Sequence, residues 1–273
     1  MPIPFAKLHS SGNDFILIDE RRREFVKRKA DFAARVCDRN RSVGADGVLY
    51  LLPSKRADFR MRLFQPDKSE AEMCGNGLLC AAGWVHSTRP RAAYAIETIA
   101  GIERVEVRNR AGDLWARAGF GGARFDRRDV PVRGRGEMVN EPLKGTGVRV
   151  TAVNTGVPHA VVFVEEVAKA PVAALGPKIR WHPSFPKGTN VNFVQVEGST
   201  LRIRTFERGV EGETLSCGTG AVASLAAALR RHMLPGPRAR IVTRGGVNYA
   251  YERAGRYFLE GLPVLVFDGA LAG

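Results

Sequence analysis

Two short stretches of the sequence hold the residue types that proton-transfer chemistry needs. "EAEMCGNGLLCAAG" (residues 70–83) and "GETLSCGTGAVASLA" (residues 212–226) each set a cysteine directly before Gly-x-Gly and follow it with small and apolar residues. The text after each turn, "LLCAAGWVHS" and above all "AVASLAAALRR", is rich in good helix formers. Each thiol, Cys74 and Cys217, is therefore expected at or just before a helix N-terminus. Helix N-termini present N–H groups without intrahelical partners and a partial positive charge. The glycines let the backbone bend tightly and approach a ligand. The expected product is an anion site beside a cysteine, made twice.

A helix end favours a negative group by about 0.3–1 kcal/mol, and by ~2 kcal/mol at best. At about 1.36 kcal/mol per pKa unit, that moves a thiol from ~8.5 toward ~7. The result is a competent thiolate but not a strong base, so a neighbouring side-chain base is expected. "TGVPHAV" and "FERGVEGE" supply His159 and Glu207 as candidates. A phosphate cradle is the alternative for the glycines, but neither stretch fits G-x-x-x-x-G-K-[ST] or completes G-x-G-x-x-G after a strand. The other two cysteines, Cys37 and Cys80, read as small buried apolar residues.

The elements that must position these residues repeat in order. "DFILID", "KADFAARVCDR", "GVLYLL" and "FRMRLFQ" precede the first cassette. "HAVVFVE", an Ala-rich segment interrupted by proline, "NVNFVQVE" and "LRIRTFER" precede the second. More β-patterned runs follow each, and the strands read as alternating and half-buried. The expectation is an internally duplicated α/β protein of α+β type. Its lobes are placed at 1–118, with 263–273 ("VLVFDG" included) returning to it, and at 119–262. The Gly-, Pro- and charge-rich segment 119–147 is the expected crossing.

A chain of 273 residues with 44% hydrophobic and 26% charged residues has a globular composition. No apolar run reaches the roughly 20 residues of a membrane helix, and no signal-peptide pattern opens the chain, so a cytoplasmic protein with no membrane partner is expected. Four cysteines without a C-x-x-C pair and five histidines without ligand spacing give no metal site. The net charge is +14, densest across Glu20–Arg41. Acidic residues are interleaved there without any RNP or zinc-finger pattern, which favours a solvated surface over a nucleic-acid site.

Six stretches together, "HSSGNDFILID", "GADGVLYL", "FQPDKSEAEMCGNG", "NTGVPHAVVFV", "GTNVNFVQV" and "FERGVEGETLSCGTGA", resemble the diaminopimelate epimerase family in order and spacing over essentially the full length. The resemblance implies two pseudo-symmetric lobes, each a curved, mostly antiparallel sheet wrapped around a central helix, with the active site between them. It implies epimerisation of LL- to meso-diaminopimelate in lysine biosynthesis with no cofactor, neither pyridoxal phosphate nor metal. Cys74 and Cys217 match the acid and base, and His159 and Glu207 the residues that manage their protons. Gly75, Asn76, Gly218 and Thr219 match the amides that hold the reacting carboxylate. Arg208, Asn13, Asn190 and Glu207 match the residues that take the distal end of the substrate, and Gln65 stands where the commonest pattern has Asn. A two-sided reaction needs an acid and a base flanking one carbon, which a duplication supplies.

Further departures are Val157 before Pro-His, Lys68 in place of the Gly of an Asp-Gly-Ser turn, Leu79 in place of Arg, and "HSS" in place of His-Gly-x. None falls on the thiol pair. Gln65 and Val157 motivate an alternative, the same fold and mechanism acting on another amino acid such as histidine or a proline derivative. A basic nucleic-acid-binding protein is the more distant alternative. A homodimer is compatible with the sequence.

Overall fold

The computed structural model of the chain describes residues 2–272. Its elements run in the order β1 (Ile3–Ser10), β2 (Asn13–Asp19), α1 (Lys29–Val36), β3 (Gly47–Leu52), β4 (Phe59–Phe64), β5 (Glu70–Ala71), α2 (Gly75–Thr88), β6 (Ala93–Thr98), β7 (Gly101–Arg110) and β8 (Asp113–Phe120). Then follow β9 (Glu141–Pro142), β10 (Arg149–Asn154), β11 (Pro158–Phe163), α3 (Val172–Arg180), β12 (Asn190–Glu197), β13 (Thr200–Glu207) and β14 (Gly212–Thr214). The chain closes with α4 (Gly218–Arg230), β15 (Arg238–Thr243), β16 (Gly246–Arg253), β17 (Arg256–Gly261) and β18 (Pro263–Leu271). It divides into two compact units, Met1–Gly119 with Glu260–Gly273, and Phe120–Leu259.

The two units repeat one pairing scheme. In the first, β1–β2 is antiparallel, β2–β3 parallel, β3–β4 antiparallel, β4–β6 parallel and β6–β7 antiparallel, with the short β5 on β4. In the second, β10–β11, β11–β12, β12–β13, β13–β15 and β15–β16 follow the same alternation, with the short β14 on β13. The C-terminal β18 pairs antiparallel with β1 from Ile3 to Ser10.

Each unit closes on its own helix. In the first, α2 packs against β1, β2, β3, β4, β7 and β18. A flat sheet running from β18 through β1, β2, β3, β4 and β6 to β7 would be about 29 Å wide at about 4.8 Å per strand, against a helix about 10–12 Å across. Strands at both ends can touch α2 only if the sheet curls around it. The helix is accordingly apolar on all sides, with Leu78, Leu79, Cys80, Ala81, Ala82 and Val85 buried. In the second unit, α4 packs against β10, β11, β12, β13, β15 and β16 and buries an unbroken run from Gly218 to Ala228. Small side chains let the strands approach it closely, which is why this helix is written in alanine.

The outer faces of the sheets are covered as well. In the first unit α1 brings Phe32, Ala33 and Val36 onto Ile16, Ile18, Val48 and Tyr50. In the second, Val172 and Ile179 of α3 join Phe193 of β12 and Phe206 of β13, strands that α3 packs against, in one buried cluster with Val150, Ala152 and Val162. The strands β2, β3 and β11 are therefore buried on both faces and read as continuous apolar runs, not as the alternating half-buried strands expected of them. The proline-interrupted segment forms α3 across Pro177 and packs closely: an added Cβ at Gly176 would fall 2.7 Å from the Phe206 ring. Segment 119–147 is not a bare crossing, since Val130, Val132, Met138 and Leu143 are buried in the second core.

Part of the basic stretch is taken up by pairing. Arg21 grips Asp19 through two hydrogen bonds of 2.8 and 2.6 Å, and Arg28 pairs with Asp31 at 2.6 Å. Arg39 bridges Asp14 at 2.7 Å and Asp46 at 2.8 Å. Lys29 meets Glu20 at 2.9 Å with both side chains buried, and Glu20 also accepts from the N–H groups of Phe25 and Val26. These charges fasten a loop to its sheet. Among the described residues, no helix is long and apolar enough to cross a membrane.

Candidate active site

Cys74 is the N-cap of α2 and Cys217 the N-cap of α4, each in extended backbone geometry at φ −142° and −127°. Both are half-buried, whereas Cys37 and Cys80 are buried. Burial pushes the Cys37 thiol up to about 12 and raises that of Cys80 well above the ordinary range, so neither forms a thiolate at neutral pH.

In the first unit the thiol is held by its own helix and by a polar neighbour. Cys74 Sγ accepts the Gly77 N–H at 3.4 Å and lies 3.8 Å from Asn13 Oδ1. The same Asn13 oxygen accepts from Asn76 Nδ2 at 3.2 Å. Asn13 is anchored in turn by donating to Asp46 Oδ2 at 2.7 Å. Burial raises the Asp46 carboxyl against the Asn13 bond, while Asp14, also raised by burial, is brought down overall by Arg39 and Lys7. Asn76 is fully buried, and its Oδ1 finds no hydrogen-bond partner among the described residues. Asn13, Cys74, Gly75 and Asn76 thus form one cluster.

Gln65 has a different local role. It sits in the turn between β4 and β5, where its N–H donates to Ser69 O at 2.9 Å and its Oε1 accepts from the Ser69 hydroxyl at 2.8 Å. Lys68 in the same turn has φ +72°, the left-handed region that glycine adopts without strain. Its ammonium meets Asp31 at 2.9 Å.

In the second unit Cys217 Sγ lies 3.4 Å from the Thr219 hydroxyl, and Thr219 O accepts from the Thr155 hydroxyl at 3.1 Å. Asn190 is buried beside His159 in the parallel register of β11 and β12, and its Oδ1 accepts the Arg208 N–H at 2.8 Å. Glu207 Oε1 accepts from the Thr214 hydroxyl at 2.6 Å. The register brings Asn190 and His159 together, and the hydrogen bond brings Arg208 to Asn190.

His159 is fully buried. Its Nδ1 lies 2.8 Å from Asn192 Oδ1, and Asn192 Nδ2 donates to Thr205 Oγ1 at 2.9 Å. Its Nε2 has no hydrogen-bond partner among the described residues. Burial lowers the imidazole to about 4, the Asn192 bond opposing that shift and the Arg208 charge adding to it, so the ring is neutral at pH 7. Asn192, Thr205 and Asp46 are three members of these clusters that sequence reasoning did not reach. The period-two spacing of Asn190 and Asn192 on one strand was a usable signal for the first. Nothing local marks Thr205, which meets Asn192 only through the β12–β13 register.

The family model described as diaminopimelate epimerase matches residues 5–124 and 151–265. A diaminopimelate epimerase of Methanothrix thermoacetophila is 48% identical over 99% of this chain and 96% of its own length. One from Methanocella arvoryzae is 44% identical over 98% of this chain and 96% of its own. Among solved structures, a phenazine biosynthesis protein of Bacillus anthracis superposes with a TM-score of 0.71 at 15% identity, covering 100% of this chain and 99% of that one. That likeness concerns the fold alone.

Proposed function

The chain belongs to the diaminopimelate epimerase family, and on that basis we propose that it interconverts LL- and meso-diaminopimelate, a step of lysine biosynthesis, by proton transfer through Cys74 and Cys217. The observation that carries this reading is a repeated arrangement. Each cysteine is the N-cap of a buried helix, at the equivalent place in the pairing scheme of its unit.

Inverting an α-carbon requires taking a proton from one face and returning one to the other. One thiolate accepts the α-proton and becomes a thiol, while the second thiol donates its proton and becomes a thiolate. The pair ends in the reversed protonation state, so the same two groups run the reaction backwards. Charge that develops at the α-carbon spreads toward the carboxylate. Preorganised helix-end N–H groups at Gly75, Asn76, Gly218 and Thr219 suit that charge. His159 and Glu207 would hold and release the protons of the thiols. Arg208 would grip the distal carboxylate as a fork, with Asn13, Gln65, Asn190 and Glu207 as polar partners.

Incubation with LL- or meso-diaminopimelate in deuterated water should place deuterium on the α-carbon. Removing a positioned acid or base costs about 10²–10⁴-fold in rate, so Cys74→Ala and Cys217→Ala should each abolish measurable epimerisation. Undiminished epimerisation by either variant rejects the two-thiol mechanism. Rapid exchange on another amino acid, with none on diaminopimelate, rejects the substrate.

A further inference from the structure

The clearest unexplained polar arrangement in the second unit is the chain His159–Asn192–Thr205. It crosses three adjacent strands: His159 on β11, Asn192 on β12 and Thr205 on β13, with Asn192 and Thr205 directly paired in register. All three side chains are buried, His159 and Asn192 completely and Thr205 to 3% exposure. Asn192 also lies against the start of α4. A Cβ added at Gly220 would fall under 3.0 Å from its Nδ2 and 3.2 Å from the Cβ of Cys217. The amide is therefore wedged between the imidazole and the first turn of the cysteine-capped helix.

A neutral imidazole has one N–H and one lone pair, and the partner of one nitrogen decides the state of the other. Asn192 turns its carbonyl oxygen to Nδ1 and spends its amino group on the Thr205 hydroxyl. An oxygen can only accept, so Nδ1 carries the proton and Nε2 the lone pair. The burial of Nε2 points the same way. A buried N–H without an acceptor is rarer and costlier in proteins than an acceptor without a donor. Nε2 has no partner among the described residues, so the lone pair is the less costly occupant.

We infer that Asn192 is a positioning residue: by bridging His159 Nδ1 and Thr205 Oγ1 it fixes the buried imidazole as the Nδ1–H tautomer and keeps Nε2 as a proton acceptor. The role of that acceptor, receiving a thiol proton and handing it back, rests on the proposed epimerisation. The tautomer does not. Thr205 braces the amide by accepting from its Nδ2; a flipped Asn192 would give its nitrogen to Nδ1 and reverse the assignment.

The test is the ring-nitrogen NMR spectrum of the intact, substrate-free protein labelled with ¹⁵N-histidine, with His159 assigned by its loss in His159→Gln. The expected result is a protonated Nδ1 and an unprotonated Nε2 in the wild type. Asn192→Leu should mix or reverse the tautomers and lower kcat at least tenfold, with KM changed less than threefold. Asn192→Asp, which still accepts from Nδ1, should retain the Nδ1–H form, and Thr205→Val should fall between wild type and Asn192→Leu. A wild-type ring protonated on Nε2 overturns the inference even if Asn192→Leu fails to fold. So does an Asn192→Leu protein that keeps both tautomer and kcat. Because the spectrum is read without substrate, failure of the diaminopimelate reading leaves this measurement untouched.

Discussion

Gly77 and Gly220 occupy the same position, third in their helices, yet alanine should be tolerated at one and not at the other. In both cases the substitution removes a helix-disfavouring glycine, a gain of up to about 1 kcal/mol. At Gly77 the new methyl would meet the flexible tip of Leu49 at 3.2 Å and Cys74 Cβ at 3.4 Å, contacts that a small rotation relieves. Gain and strain nearly cancel, and Gly77→Ala should stay within about 1 kcal/mol of wild type. At Gly220 the methyl would fall under 3.0 Å from Asn192 Nδ2, and that amide is held at both ends by His159 and Thr205. Overpacking costs about 1–3 kcal/mol, and a buried polar group orphaned by a displaced amide costs about 1–3 kcal/mol more. Less the helix gain, Gly220→Ala should lose about 3 kcal/mol, or a Tm lowered by about 6–12 °C for a chain of this size. Activity, read as α-deuterium incorporation, should fall with it. A double-mutant cycle with Asn192→Ala should recover part of the loss, because the shorter side chain removes the collision. The reasoning fails if Gly220→Ala matches wild type in stability and rate, or if Gly77→Ala is equally damaged.

Two further expectations follow from the same region. His159 is held at about 4, below the ordinary 6.5 of an unfolded histidine, chiefly by burial. The unfolded chain binds this proton first, so the stabilisation is complete above pH 6.5 and is lost as pH falls toward 4; that window is worth about 3 kcal/mol. Denaturant melts of wild type and His159→Gln across it should show the steeper pH dependence in wild type, and parallel curves would contradict the assignment. Arg208→Lys keeps the charge but loses the planar fork. With hydrogen bonds to charged groups worth about 1.5–3 kcal/mol, KM for diaminopimelate should rise about 10–100-fold with a smaller change in kcat, and an unchanged KM would remove Arg208 from substrate binding.

The cassettes were legible because their signals are local. An N-cap, a glycine turn and a run of alanines lie within a few residues of one another, so the helix starts at Cys74 and Cys217 follow from short-range chemistry. The repeated order of elements was readable for the same reason. Burial on both sheet faces was not, since "DFILID" and "GVLYLL" do not say that α1 covers the side away from α2. Nor did Val130, Val132, Met138 and Leu143 announce themselves as core inside a segment dense in glycine and charge.

The sequence by itself therefore determined the chemistry on offer: two thiols, each at the head of an apolar helix, in a chain that repeats its element order. Tertiary structure alone decided which polar groups surround that chemistry. His159, Asn192 and Thr205 lie on separate strands, and Asn13 and Asp46 lie far from Cys74 along the chain. They meet only through strand register and the curl of a sheet around a helix. Hydrogen bonds a few ångströms long cannot be read from residues tens of positions apart until the backbone has brought them together.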